Sequence, residues 1–296
     1  VSNDEAPGTD PPRVTVVVAT RDRHAELART LDELARLDPR SAVIVVDNAS
    51  SDGTSALVRG EYPWARSIRV RDNLGCAARN IGVELAETPY VAFSDDDSWW
   101  APGALERAAD VFDAHPSLGL LAASVVVGEE ERPDPINALM AESPLPRRAG
   151  TPGPEVLGFL ACAAVVRRSA FLEVGGFSRL LFFSGEEALL AQDLAAAGWT
   201  SCHVADVRAH HHPSAARPPA SWRVRLDLRN RLLSAWLRRP VERATRETAR
   251  LAHAATTDPD ARGALADALR RLPGALRQRR RLPGRVEHAL RTLETT

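Results

Sequence analysis

From residue 14 to 125 the chain alternates short, unbroken apolar runs with longer stretches whose apolar positions recur every three or four residues. Unbroken runs of four to eight suit strands buried on both faces, whereas the wider period marks helices that bury one side. The runs predict strands over 14–19, 42–46, 67–70, 90–93 and 118–125. Between the first two, Leu27, Leu31, Leu34 and Leu37 keep helical spacing and read as ordinary core. Such alternation builds an α/β fold with a mostly parallel sheet and helices on both faces.

Beyond this region the pattern changes. Six prolines at 133, 135, 144, 146, 152 and 154 interrupt any long element, so 128–154 is expected to be an irregular excursion over the sheet face. Residues 158–166 are apolar again, and a short helix should follow, ending at Gly175-Gly176, where glycine supplies the left-handed turn. Ser184 and Glu187 have the spacing of a capping box, in which Glu187 reaches back to the Ser184 amide. A short strand is expected over 201–204. From Ser221 onward, Trp222, Leu226, Leu232, Leu233, Trp236 and Leu237 can form an apolar helical face with arginines opposite. Pro240 should stop that helix and Asp258-Pro259 should open another. Arg-Leu-Pro-Gly, occurring at 271 and again at 281, should punctuate the end.

Composition narrows the class. With 296 residues, 44% hydrophobic content and a net charge of -1, the chain should bury one large core, or one core with an appendage. No window of eighteen apolar residues exists, and residues 1–13 are polar and proline-rich rather than a signal sequence, so a cytoplasmic protein with an unstructured tail over 1–13 is expected. Cys76, Cys162 and Cys202 are widely spaced without a CxxC pair, which argues against a disulfide framework or a zinc knuckle. All 38 basic residues are arginine. A Walker A loop, a pyridoxal Schiff base and lysine-dependent phosphoryl transfer are therefore excluded, since each needs an ammonium group. Residues 217–296 carry 19 Arg against 8 Asp and Glu, an excess of +11 that leaves -12 for the rest. A helical bundle pairing its charge with an acidic body is expected. Peripheral contact with an anionic membrane at the inner face is the secondary use of that charge, ahead of nucleic acid.

Candidate chemistry concentrates after the strands. Asp95-Asp96-Asp97 follows the apolar run 90–93, and three adjacent carboxylates repel one another unless a cation offsets them. Hard oxygen ligands select Mg²⁺ or Mn²⁺. Parallel sheets bind ligands beyond the carboxyl ends of their strands. Polar groups lie there after each predicted strand: Thr20-Arg21, Asp47-Asn48, Asp72-Asn73 and the acidic triplet. Each pair alone is also ordinary turn chemistry; four along one edge argue for a ligand. The first turn, Ala19-Thr20-Arg21-Asp22-Arg23, lacks the glycine fingerprint of NAD or FAD sites. Phosphates would have to be held through a metal. Within His210-His211-His212, one imidazole could complete its coordination sphere.

In chain order, several segments resemble the family 2 glycosyltransferases with the GT-A fold. They are Val14-Thr15-Val16-Val17-Val18-Ala19-Thr20-Arg21, Val45-Val46-Asp47-Asn48-Ala49-Ser50-Ser51-Asp52-Gly53-Thr54, Asn73-Leu74-Gly75 with Ala78-Arg79-Asn80-Ile81-Gly82, and Asp95-Asp96-Asp97. The likeness continues through Gly175-Gly176-Phe177, Gly185-Glu186-Glu187 and the His210 cluster, covering about residues 13–214. It implies a Rossmann-like GT-A domain over 14–214, with a nucleotide-binding half at 14–125, an acceptor half at 126–214, and an Arg-rich helical region at 215–296. It further implies transfer of a sugar, usually with inversion, from a nucleotide-diphosphate donor to an acceptor hydroxyl on a glycan, a lipid-linked molecule or a small natural product.

By the same resemblance Asp47 would accept from the donor base, with Thr20, Arg21, Asn73 and Arg79 also at the nucleotide. Asp95 and Asp97 would be the outer members of an Asp-x-Asp metal motif, Asp96 would meet the ribose or a metal-bound water, and His210 would be the third ligand. The family's acidic pair, often Glu-Asp, reads Glu186-Glu187 here. Glu187 thus stands where the usual aspartate acts as base, with Glu186 or Asp193 as stand-ins. Uracil, thymine and guanine remain open as the donor base. A sugar-nucleotide pyrophosphorylase would need a glycine-rich basic loop after the first strand, which is absent. The other rival is a non-catalytic scaffold that uses the Arg-rich tail on nucleic acid or membrane.

Overall fold

In a computed structural model, which describes residues 12–37, 41–214 and 219–295, the first half follows the predicted alternation. β1 (Val14–Thr20), α1 (His24–Ala35), β2 (Ala42–Asp47), α2 (Thr54–Glu61), β3 (Arg66–Arg69), α3 (Ala78–Leu85) and β4 (Tyr90–Asp95) succeed one another, and the strands pair in parallel as β3-β2-β1-β4. Successive strand residues face opposite sides. Val16 and Val18 therefore join Leu27, Leu31 and Leu34 of α1 in one core, while Val17, Ile44 and Val46 join Val83 of α3 in the other. Gly82 brings α3 close to the sheet: a Cβ there would lie 2.4 Å from Val17 Cγ1.

The second half is mixed. β5 (Ser98–Trp100), α4 (Ala104–Ala114), β6 (Leu118–Val127), β7 (Arg132–Pro133), α5 (Pro135–Ala141), β8 (Ala164–Arg167), α6 (Arg168–Val174), α7 (Glu186–Ala197) and β9 (Thr200–His211) follow in order. β8 runs antiparallel between β4 and β6, β9 is parallel to β6, and β5 is antiparallel to β9. The full order is β3-β2-β1-β4-β8-β6-β9-β5, with β7 paired to β6. β4 and β5 stand four places apart in that order but are joined by only two residues, so the sheet curls and brings the β5 edge back against β4.

Several expectations change. The segment 128–154 is less irregular than its prolines suggest, because Pro135 sits in the first turn of α5 and Asp134 caps that helix by accepting from the Ile136 amide at 2.9 Å. β9 extends well past 204: its pairing with β6 skips from Val204 to Arg208 and resumes, which puts the histidines on a strand. No capping box forms at α7. Gly185, at φ 80°, precedes the helix without a side-chain cap, and the Ser184 hydroxyl instead donates to Asp227.

The C-terminal helices are α8 (Ala220–Arg238), α9 (Val241–Ala254), α10 (Pro259–Arg277) and α11 (Gly284–Thr295). Pro240 separates α8 from α9, and Asp258 caps α10 by accepting from the Asp260 amide at 2.8 Å. The first Arg-Leu-Pro-Gly does not end a helix, since Pro273 lies inside α10. The bond it forfeits is offset by packing: Ala275 is fully buried, and Gly274 lies against Leu180. Leu232, Leu233, Leu237, Leu251 and Ala264 share a core with Leu181 and with Leu189 of α7. Of the tail expected over 1–13, residues 1–11 lie outside the described residues; Arg13 pairs with Asp110 and Asp113. Among the described residues no helix is long and apolar enough to cross a membrane.

Candidate active site

The loops after β1, β2 and β3 are tied together by short polar side chains. Asn48 accepts from the Leu74 amide at 2.7 Å and donates to the Gly75 carbonyl at 3.0 Å. Asp22, at φ 49°, accepts from the Ser51 amide at 2.6 Å and donates its own amide to Ser50 Oγ at 3.0 Å. Asp47 is completely buried: Oδ1 accepts from the Ser50 amide at 2.8 Å and Oδ2 from the Ser55 hydroxyl. The carboxylate expected at the donor base therefore shapes this loop from within. Arg21, Asp22, Asp72 and Asn73 are exposed along the edge, with Arg21 also donating to the Asn48 carbonyl at 3.2 Å and Asn73 accepting from the Gly75 amide at 2.9 Å.

The acidic turn gives each carboxylate a different environment. Asp95 pairs with the buried guanidinium of Arg79, and its amide donates to Ser98 Oγ at 2.7 Å. Asp96 accepts from the Thr20 hydroxyl at 3.0 Å, yet burial and the flanking Asp95 and Asp97 push its pKa up to about 7. Asp97 faces His211 Nε2 at 3.5 Å and accepts from the Ser214 amide at 3.1 Å. Burial opposes its ionisation, but the imidazole and the amide outweigh that and hold its pKa below the ordinary value. His211 is raised in return, Asp97 overcoming the effect of burial. His210, on the other face of β9, meets Glu131 at 3.3 Å and stacks on Trp99 with ring centres 5.8 Å apart. The imidazole beside the acidic turn is thus His211, not the expected His210, because adjacent strand residues point to opposite sides.

The pair at the start of α7 completes the arrangement. Glu186 is buried and its Oε2 lacks a hydrogen-bond partner; Glu187 is half-buried beside it. Burial raises both carboxyl groups, and repulsion from Glu186 helps push Glu187 up to about 8. Burial also works against the charge on Arg79, but Asp95, Cys76 and Glu186 prevail and raise its pKa. One buried cation therefore links the acidic turn electrostatically to the acidic pair. Asp193 is held elsewhere, in an ion pair with the buried Arg238 whose Nη2 lies 2.8 Å from Oδ2, so it is no stand-in for the base.

The donor set suits a hard divalent ion. Carboxylate oxygens with one imidazole are the chemistry Mg²⁺ and Mn²⁺ accept, and a cation would relieve the repulsion from Asp95 and Asp97 that adds to burial in raising Asp96. Among the described residues no three His, Cys, Asp or Glu side chains converge as a cage.

Two supporting residues escaped sequence reading. Arg229 and Asn230, buried on the inner face of α8, hydrogen-bond to backbone carbonyls between 181 and 184, just ahead of the acidic pair. Their signal was present: two polar residues interrupt an apolar stripe that runs from Leu226 to Leu233 and Leu237.

A curled sheet with polar loops and carboxylates at its strand ends defines the GT-A class of nucleotide-sugar glycosyltransferases. The chain belongs to glycosyl transferase family 2, whose family model matches residues 15–175. It is 30% identical over 241 residues to the N-acetylglucosaminyl-diphospho-decaprenol L-rhamnosyltransferase of Mycobacterium tuberculosis, an alignment spanning 70% of this chain and 78% of that one. The same organism's pre-mycofactocin glycosyltransferase is 32% identical over 195 residues, 62% of this chain and 39% of the relative. Among solved structures, the mannosyltransferase PcManGT of Pyrobaculum calidifontis, in complex with GDP-Man and Mn²⁺, superimposes with a TM-score of 0.56 at 21% identity, covering 97% of this chain and 76% of its own. Staphylococcus aureus TarS with UDP-GlcNAc gives a TM-score of 0.56 at 19% identity, covering 75% of this chain and 66% of its own.

Proposed function

We propose that this glycosyltransferase is divalent-cation-dependent and inverting, moving a sugar from a nucleotide diphosphate to an acceptor hydroxyl. One observation carries the reading: Arg79 links the acidic turn to the raised acidic pair of α7, so that a metal-binding corner and a proton acceptor lie near each other at one end of the sheet. Asp95 and Asp97, with His211 adjacent, would hold a divalent ion. That ion offsets the charge on a departing nucleoside diphosphate. Asp96, which accepts from Thr20, is assigned to the ribose, and the exposed Arg21 and Asn73 to the rest of the nucleotide.

Glu187 is the proposed base. A carboxylate whose pKa is raised by burial takes a proton from an acceptor hydroxyl more readily than an ordinary one. Glu186, buried deeper and adjacent, keeps that pKa high. The acceptor is proposed to be lipid-linked, following the printed name of the mycobacterial relative. Phe183 and Trp222, both partly exposed with ring centres 5.6 Å apart, supply an apolar platform beside the acidic pair.

The test is a thermal-shift panel of UDP, GDP and dTDP sugars, each with Mn²⁺ or with chelator. A ligand that binds only the native state at 100 times its Kd stabilises it by about 2.7 kcal/mol. Metal-dependent stabilisation by one of these donors, and transfer abolished by chelator, is the expected result. Salt-sensitive liposome binding with no response to any donor would instead establish the scaffold reading.

A further inference from the structure

The four residues ahead of α7 hold an unfavourable path. Phe182, Ser184 and Gly185 have φ of 67°, 72° and 80°, and only the last is a glycine. Left-handed conformations in residues bearing a Cβ persist where their surroundings over-determine them. Two sets of contacts do so here. From the nucleotide half, the Cys76 amide donates to the Phe182 carbonyl at 2.7 Å, against a Gly75 that has no room for a Cβ. From α8, the Asn230 amide group donates to the carbonyls of Leu181, Phe183 and Ser184 at 2.9, 2.7 and 2.7 Å.

Arg229 reinforces the second set. Its Nη2 donates to the Leu181 carbonyl at 2.5 Å, and its Nε to Asn230 Oδ1 at 2.8 Å, which fixes the direction of the Asn230 amide. Arg229 is only 4% exposed and, among the described residues, has no carboxylate within ion-pair distance. Burying such a charge is costly, and a purely structural helix contact would be served as well by an apolar side chain. What the guanidinium and the amide provide instead is a set of directed donors aimed at three carbonyls in four residues.

We infer that Arg229 and Asn230 are positioning residues for sugar transfer: they fix the loop that sets the first turn of α7, and with it the aim of Glu186 and Glu187. The inference rests on the proposed role of that pair. It makes α8, beyond the matched family region, part of the catalytic apparatus.

The experiment compares Asn230→Ser and Arg229→Met with Leu251→Ala, which thins the same helical core from α9 without removing a hydrogen bond to the loop. Transfer kinetics are measured with the donor that stabilises the protein best, donor Kd by calorimetry, and amide exchange over 182–188 by mass spectrometry. Both loop-facing variants should lose roughly 10- to 100-fold in kcat, the scale set by small misplacements of reacting groups, with donor Kd within about 3-fold of wild type. Exchange over 182–188 should rise in both. Leu251→Ala should lower Tm while keeping kcat and the exchange pattern. If Asn230→Ser does not fold, Arg229→Lys takes its place, since it keeps the charge but loses the two-pronged geometry. Folded variants with wild-type kcat, or an equal kcat loss in Leu251→Ala at the same Tm, overturn the inference. A wild-type protein with no transfer from any donor overturns the reading beneath it, which is a distinguishable result.

Discussion

Glu187 illustrates how one side chain can oppose stability while serving chemistry. Its carboxyl titrates near 4.5 when unfolded and is pushed up to about 8 in the fold by burial and by Glu186. The native state therefore binds the proton more tightly, so stability falls as pH rises through that window, by roughly 1 kcal/mol per pH unit, and levels off above it. Glu187→Gln removes the titration. Its melting temperature should exceed that of the wild type at pH 8 and converge with it near pH 4, while transfer drops by about 100-fold or more. A variant that kept turnover would return Glu187 to a structural role. The acidic turn and the acidic pair were visible as residue types, but their partners were not. Whether His210 or His211 faces Asp97 depends on strand parity, which shifts with every bulge, and the committed oxygens of Asp47 depend on a hydroxyl eight residues away.

Elements were easier to read than their ends. The five strands predicted between residues 14 and 125 all exist, because unbroken apolar runs flanked by turn residues leave few alternatives. β9 outruns the predicted 201–204 because its pairing with β6 lapses in a bulge over Ala205-Asp206-Val207 and resumes at Arg208. The capping box failed because Gly185 starts α7 in a left-handed turn and Asp227, distant in sequence, takes the Ser184 hydroxyl. Gly82 shows how closely two elements can be matched. Alanine there would drive a Cβ to within 2.4 Å of Val17 Cγ1, so α3 would have to lift from β1. Gly82→Ala should cost about 1–3 kcal/mol despite alanine's better helix propensity, measured by urea unfolding at unchanged m-value. Equal or higher stability would mean that α3 rides farther from the sheet than described.

At the scale of the molecule, the excess of arginine after residue 217 reads correctly as helical but says little about where those helices dock. Part of the answer is pairing within the segment, as when Arg239 meets Glu287 and Glu294. The rest is attachment to α7, through Arg238 on Asp193 and through the core that Leu233 shares with Leu181 and Leu189. A shared core predicts shared unfolding. Leu233→Ala should cost about 2–5 kcal/mol and shift a single transition seen alike by calorimetry and far-UV dichroism. Two separated transitions would show that the C-terminal helices melt independently. The grip on α7 also continues to its far end, where the Arg285 guanidinium donates to the Ala195 and Ala196 carbonyls at 3.1 Å. On the ribosome, the glutamate-bearing helix emerges well before the segments that hold both of its ends. That helix can rest on the sheet through Leu190, Ala191 and Leu194 as soon as β9 is made, but the hold on its C-terminal end waits until α11 has been translated.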